Sequence, residues 1–192
     1  MVVLAMFYVA FTSLHADTNI RIRGVGAINE IGEYEDAGKK AEKLQSGLFG
    51  TSIFIGKYGF GQSKLTTSIE IENTKQELMS NWLEIALLFD FTKTTSLSIG
   101  IGSTTSGEGK LEAYDTEYKT ENVSGKSWFL MMGFEYKPIW LAKTDLIKFL
   151  ELLFGVRENL VEYQNFKKNG KTLSSKSKIN SIQLFWGLGI VF

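Results

Sequence analysis

The sequence predicts an all-β fold, an eight-stranded antiparallel up-and-down barrel that crosses a membrane. Three observations carry this. Apolar residues recur at every second position in segment after segment, the period of a strand with one apolar face. No stretch after Ala16 offers the ~18 consecutive apolar residues of a spanning helix. The 192 residues include 19 glycines and 13% aromatics, but one proline, Pro138, and one histidine, His15, a balance seldom met in a helical domain.

The chain opens on an apolar segment, residues 2–14, VVLAMFYVAFTSL. It is short for a membrane span and fits the core of an export signal cut after Ala16. Two features depart from that pattern: no Lys or Arg follows Met1, and Leu14 stands where a small residue is preferred. The alternative is a buried N-terminal strand or helix. The expected division is a signal peptide at 1–16 and a barrel domain at 17–192, and cleavage would remove His15.

The strands follow in order. The first sets Ile20, Ile22, Gly24, Gly26 and Ile28 on one face and Arg21, Arg23 and Asn29 on the other. The second, 48–59, is read with Ile53 and Ile55 outward and Lys57 reaching toward a headgroup. In the third, Leu65, Thr67, Ile69 and Ile71 alternate with Thr66, Ser68, Glu70 and Glu72. The fourth carries Leu83, Ile85, Leu87, Phe89 and Phe91 on its apolar face, and the fifth Leu97, Ile99 and Ile101. The sixth carries Trp128, Leu130, Met132, Phe134 and Tyr136, and the seventh Leu150, Leu152, Phe154 and Val156. Tight turns are expected at 60–64 and 92–95, with a longer one at 138–148. Long charged connections are expected at 33–47, 103–126 and 159–179, and a shorter one at 73–78. Long loops at one end and short turns at the other describe an outer-membrane barrel with its loops outside and both termini in the periplasm.

The eighth strand, NSIQLFWGLGIVF, ends on Phe192. Counting back in twos gives Ile190, Leu188, Trp186, Leu184 and Ile182, with glycines between. This resembles the C-terminal assembly signal of bacterial outer-membrane barrels. Strand number and size together resemble the small OmpA- or OmpX-type barrels. The resemblance implies a Gram-negative outer membrane, a monomer, and assembly machinery that reads Leu188, Ile190 and Phe192. It also implies outer-membrane lipid and lipopolysaccharide as surroundings. The physics agrees, because a sheet in a bilayer must close on itself to pair its backbone groups. Aromatics fall near expected strand ends, Phe60, Phe91, Tyr136, Trp140 and Phe192 at the periplasmic side and Tyr34, Trp82 and Trp128 at the outside. A soluble ligand barrel is the alternative, but the smaller, glycine-rich polar face suits a narrow lumen better.

The polar faces point Arg21, Arg23, Glu70, Glu72, Glu84, Glu135, Glu151 and Arg157 inward. Charges in so narrow a lumen are expected to pair in a hydrogen-bonded network. The excess of acids calls for water, a protonated carboxyl or an inward Lys57. Structural plugging is one reading of this network, and a narrow cation-favouring path is the other.

No catalytic residue is expected. Enzymes among such barrels resemble each other in relying on histidine, which the mature chain would lack. The Glu70–Glu72 pair would lie in a lumen closed to polymers. GSTTSGEGK at 102–110 lacks the spacing of a phosphate loop. With no cysteine and no calcium-loop spacing, no metal or cofactor is expected. The balance of 21 basic and 21 acidic residues gives no field for nucleic acid. Among the connections, residues 158–178 stand out, with five lysines, Lys167, Lys168, Lys171, Lys176 and Lys178, against two acids. They suit lipopolysaccharide phosphates or another anionic surface, or are simply solvated. The expected function is that of a non-enzymatic outer-membrane barrel serving envelope integrity or surface interaction. A porin-like narrow channel and a loop-borne adhesin are the alternatives.

Overall fold

The computed structural model of the chain describes residues 19–28, 30–36, 39–40, 43–71, 74–113, 116–141, 146–168 and 171–192. The expected export signal and Glu72 lie outside them. The strands are β1 (Ile20–Ile28), β2 (Glu30–Asp36), β3 (Lys39–Lys40), β4 (Lys43–Ile55), β5 (Tyr58–Ile71), β6 (Thr74–Asp90), β7 (Thr95–Ala113), β8 (Thr116–Thr120), β9 (Asn122–Tyr136), β10 (Phe149–Lys168) and β11 (Lys171–Val191). The only helical element among the described residues is a 3-10 turn, Ile139–Leu141. Among the described residues, no helix is long and apolar enough to cross a membrane.

Eight of these strands form a ring of antiparallel ladders, in the order β1, β4, β5, β6, β7, β9, β10, β11 and back to β1. The closing ladder runs from Arg21 opposite Val191 to Gly26 opposite Trp186. Past it, Phe192 donates its backbone N–H to the Ile20 carbonyl at 2.9 Å. The short strands extend the wall at the long-hairpin end, β2 on β11 and β8 on β7.

The outer wall carries a continuous apolar belt. Leu83, Ile85, Leu87 and Phe89 stand exposed on β6, Trp128, Leu130, Met132, Phe134 and Tyr136 on β9, and Ile182, Leu184, Trp186 and Leu188 on β11. Five outward positions, Ile182 to Ile190, cover about 26 Å of strand at ~3.3 Å per residue. Tilted by ~35–45°, this spans roughly 20 Å of height, most of the ~25 Å apolar band that such proteins present to lipid. Beyond the belt the outer wall turns polar within one or two positions, at Asn180, Lys126, Ser103 and Asn81.

The strands continue well past the belt. β11 has 21 residues, about twice the 9–11 that a tilted spanning strand needs. The regions expected as long loops, 33–47, 103–126 and 159–179, are therefore largely strand. Above the belt the two faces exchange character. Leu65, Ile69, Leu78, Leu111, Val161, Tyr163, Phe166 and Ile179 are buried inside, while Lys64, Glu70, Lys75, Glu77, Glu108 and Lys110 are exposed outside. The cause is the solvent on the outside. Where lipid surrounds the wall, apolar side chains face out, and where water surrounds it they face in.

This exchange corrects the reading of the third strand. The turn lies at Gly56–Lys57, not 60–64, so β5 starts at Tyr58. Gly56 has φ 59°, a left-handed value that suits the first central residue of a two-residue hairpin turn. Parity then carries inward from Gly59 and Ser63 to Leu65, Thr67 and Ile69, and puts Glu70 outside. Trp82, expected in the outer girdle, is 1% exposed and sits in the lumen. Lys57 is exposed in its turn and does not point inward.

Candidate functional site: the barrel lumen

Two clusters of buried charge lie in the lumen. The lower one, toward the short turns, is built by β1, β10 and their neighbours. Arg23 grips Glu151 with both arms of its fork, Nε to Oε2 at 2.8 Å and Nη2 to Oε1 at 2.7 Å. Such paired charge-assisted bonds are the strongest that side chains make. Arg21 Nη1 bonds Glu151 Oε1 at 2.6 Å and Glu135 Oε1 at 2.5 Å, and its Nη2 bonds Asp90 Oδ1 at 3.1 Å. Ser98 and Ser96 accept from Arg23 at 2.6 and 3.0 Å. Glu151 and both arginines are buried.

β1 and β10 are not neighbours in the ring, since β11 lies between them. Arg23 is opposite Gly189, and Gly189 is opposite Glu151. A Cβ on Gly189 would lie 2.7 Å from Glu151 Oε2. A Cβ on Gly133 would lie 2.7 Å from Ser96 Oγ and 3.2 Å from Arg23 Nη2. These two glycines make the room in which the ion cluster sits.

The upper cluster joins β10 to β6. Arg157 Nη1 donates to Glu84, which also accepts from Ser63. Arg157 Nε donates to Asn159 Oδ1 at 2.6 Å, Asn159 donates to Gln183 at 3.0 Å, and Gln183 to Ser46 at 2.9 Å. The guanidinium lies 4.9 Å from the Trp82 ring, whose indole N–H donates to Ser80. A row of buried hydrogen bonds thus runs across the lumen from β6 to β4.

Apolar rings lie among and between these clusters. Phe54, Phe129 and Phe185 point inward, each directly opposite a glycine, Gly59, Gly100 and Gly155. Each ring covers its glycine so closely that a Cβ there would fall within 2.3 Å of it. Phe129 and Phe185 meet edge to face, with centroids 6.5 Å apart. Phe54 packs 4.6 Å from the Arg23 guanidinium. Along β10 the inward side chains read Glu151, Leu153, Gly155, Arg157, Asn159, Val161 and Tyr163, alternating charged, apolar, polar and apolar levels.

Of the residues read as lumenal, the structure brings together Arg21, Arg23, Glu135 and Glu151 in one cluster, and Glu84 with Arg157 in the other. Glu70 is not in the lumen as expected but exposed on β5, facing water. Three arginines therefore meet Glu84, Glu135 and Glu151, so the expected excess of acid does not arise among the described lumen residues. Ser46, Ser63, Ser96, Ser98, Asn159 and Gln183 were not singled out. Their parity with Arg157 or with lumenal glycines was the available signal.

The five lysines of 158–178 do not form one cluster. Lys167 is exposed opposite Lys119. Lys168 donates to Thr116 Oγ1 at 3.2 Å beside the Tyr118 ring. Lys176 pairs with Glu162 at 2.6 Å. Lys178 is exposed and opposite Glu162 on one side and Glu35 on the other. Lys171 lies on β11, with its side chain outside the described part. Above the belt, Lys75 pairs with Glu77 and Lys119 with Glu117, both at 2.8 Å. The hydrogen bond from lysine holds each of these carboxyls below its usual range. On β11, Leu188 and Ile190 face outward and Phe192 follows, half-buried.

A closed antiparallel ring, an apolar exterior and a charged, filled lumen define a transmembrane β-barrel of the bacterial outer-membrane kind. No family model matches the chain, and no curated protein matches its sequence. Solved structures match its fold. Neisserial surface protein A superposes with a TM-score of 0.52 at 14% identity, over 90% of this chain and 97% of that one. The outer membrane protein AlkL, solved in lipid bilayers, superposes with a TM-score of 0.50 at 12% identity, over 94% of this chain and 93% of that one.

Proposed function

We propose that this chain is an integral, non-enzymatic barrel of a Gram-negative outer membrane, closed to ions, that serves envelope integrity or surface interaction. The order of side chains along β10 carries this reading. An ion crossing the lumen would have to break the Arg23–Glu151 pair, pass the Phe54, Phe129 and Phe185 rings, and then break Arg157 from Glu84. Separating a buried ion pair is costly, since each charge loses its partner where water cannot replace it. The lumenal carboxylates are bound to arginine, which leaves none placed as a free base. These features support plugging over a porin-like path.

The long-hairpin end is read as the outer side. There the wall rises beyond the belt as a packed, polar-faced extension, which favours surface interaction over a purely passive wall. Exposed Lys126, Lys167 and Lys178 are the side chains offered to lipopolysaccharide or another anionic surface. The barrel is read as a monomer of the OmpA or OmpX type on strand number and size, assembled through Leu188, Ile190 and Phe192.

Planar-bilayer recording tests the central point. The folded protein is expected to give no unitary conductance, and Arg23→Ala or Arg157→Ala to produce flickering currents. Stable cation-selective steps from the native protein would establish the channel reading instead.

A further inference from the structure

We propose that the short-turn end of the barrel is an anchoring surface for anionic phospholipid headgroups, a rim of lysines at Lys57, Lys93, Lys137 and Lys148, of which Lys137 and Lys148 flank the exposed Ile139 and Trp140. It rests on the membrane-spanning reading above and adds a lipid preference to it. Lys57 lies in the β4–β5 turn, Lys93 in the β6–β7 turn, and Lys137 and Lys148 flank the connection between β9 and β10. All four are exposed. Among the described residues, none of them is in an ion pair.

Among the described residues at this end, the exposed Asp90 and the half-buried Glu135 both bind Arg21. The opposite end differs, because there Lys75, Lys119 and Lys176 each hold a glutamate. At the short-turn end, among the described residues, all four exposed lysines stand outside ion pairs, whereas the long-hairpin end mixes paired lysines with the exposed Lys126, Lys167 and Lys178.

The β9–β10 connection is built to hold apolar side chains outward. Leu141 is buried and its N–H bonds the Pro138 carbonyl at 2.9 Å, while the Lys148 N–H bonds the Val191 carbonyl at 2.7 Å. With both sides of the connection fixed, Ile139 is 89% and Trp140 70% exposed. They stand just past Tyr136 and Leu150, at the edge of the belt. An exposed Trp and Ile are unfavourable in water but suited to the headgroup layer, where the ring is half in hydrocarbon. Lysines beside interfacial aromatics attract anionic lipid through a field that falls off within a Debye length. A zwitterionic headgroup carries no net charge for four lysines to neutralise.

Full-length folded protein is reconstituted in phosphatidylcholine vesicles containing equal fractions of phosphatidylglycerol, with bromine on either the phosphatidylglycerol or the phosphatidylcholine chains. The Trp140 signal is taken as the difference between the native protein and Trp140→Phe. Brominated phosphatidylglycerol should quench it several-fold more effectively than brominated phosphatidylcholine. That preference should vanish in Lys57→Gln/Lys93→Gln/Lys137→Gln/Lys148→Gln. If this variant does not fold, ~1 M salt on the native protein, where the Debye length is about 3 Å, should abolish the preference instead. Equal quenching by both lipids, an undiminished preference after charge removal or screening, or a stronger preference for lipid A overturns the proposal. Loss of the preference in millimolar inorganic phosphate also overturns it, since the site would then bind free phosphate. The membrane-spanning reading fails separately, if Trp186 is quenched by neither lipid.

Discussion

Arg23 and Glu151 reach each other across Gly189, the residue that stands opposite both of them in the sheet. The pair is bidentate and buried, and a side chain on the intervening strand would occupy its space. The glycine of the eighth strand is thus part of the ion cluster without touching it by any polar atom.

Gly189→Ala is therefore expected to destabilise the barrel by about 1–3 kcal/mol, the usual cost of forcing atoms into a filled interior. Gly24→Ala is the matched control. Gly24 faces outward on β1, and a Cβ there meets nothing within 4 Å, so the change should be neutral or stabilising by about 0.4–1 kcal/mol. Urea unfolding in detergent, followed by the gel shift between unboiled and boiled protein, separates the two. Equal effects would mean that Gly189 does not set the lumen geometry.

Arg157 holds the upper cluster. Arg157→Ala leaves Glu84 without its cation and Asn159 without its donor, and should cost roughly 3–5 kcal/mol, as when one partner of a buried pair is removed. Glu70→Gln should cost almost nothing, since Glu70 faces water. An unfolding midpoint for Arg157→Ala equal to that of the native protein would contradict the pairing.

The sequence made the lipid belt, the strand number and most of the lumen charges legible because alternation in lipid has one meaning: apolar outside, small or polar inside. It misled at Glu70, Leu65, Ile69 and Trp82, which lie where the strands approach or leave the belt. The alternation there is as regular as before, but water now surrounds the wall and apolar residues turn inward. Only the continuity of β5 from Tyr58 fixes the parity, and that depends on the turn at Gly56 rather than on any property of Leu65. Pairings such as Arg23 with Glu151 are set by register across β11, which no local pattern encodes. Lumen charges could be named from their own strands, but their partners depend on ladders between strands distant in sequence.

Two exposed positions on the belt test the inside–outside assignment directly. Leu87 and Leu152 face outward on β6 and β10. Replacing either by Arg should cost about 2–4 kcal/mol near mid-bilayer, while Ser106→Arg, on the polar extension of β7, should cost little. Equal tolerance at the three sites in refolding titrations into lipid vesicles would refute the belt.

Trp82 gives a spectroscopic counterpart. It is 1% exposed, against 47% for Trp128 and 60% for Trp186. In a Trp140→Phe background, lipids brominated along their chains should quench Trp128 and Trp186 and leave a residual emission, which Trp82→Phe should remove. A fully quenched native protein would place Trp82 on the outer wall, in the girdle expected from its place near a strand end.

Phe192 joins the two ends of the ring. Its N–H bonds the Ile20 carbonyl, and β11 pairs with β1 from Val191 to Trp186. Until that ladder forms, β1 and β11 both expose unpaired backbone, which is costly in lipid and prone to aggregate outside it. Phe192 is half-buried next to this seam, where an aromatic ring tolerates the headgroup layer. Deleting Phe192 removes one closing bond of many, so the finished barrel should lose only about 0.5–1.5 kcal/mol. Recognition during assembly is a different matter, because a last strand read by its Leu188, Ile190 and Phe192 side chains would lose one of three contacts. Deletion, or Phe192→Asp, should therefore lower folded protein in the outer membrane far more than it lowers synthesis. Refolding from urea into detergent should be affected only slightly, since no machinery takes part. Normal outer-membrane levels of heat-modifiable protein after the deletion would sink the assembly role. A refolding defect as large as the cellular one would shift the explanation to the seam itself.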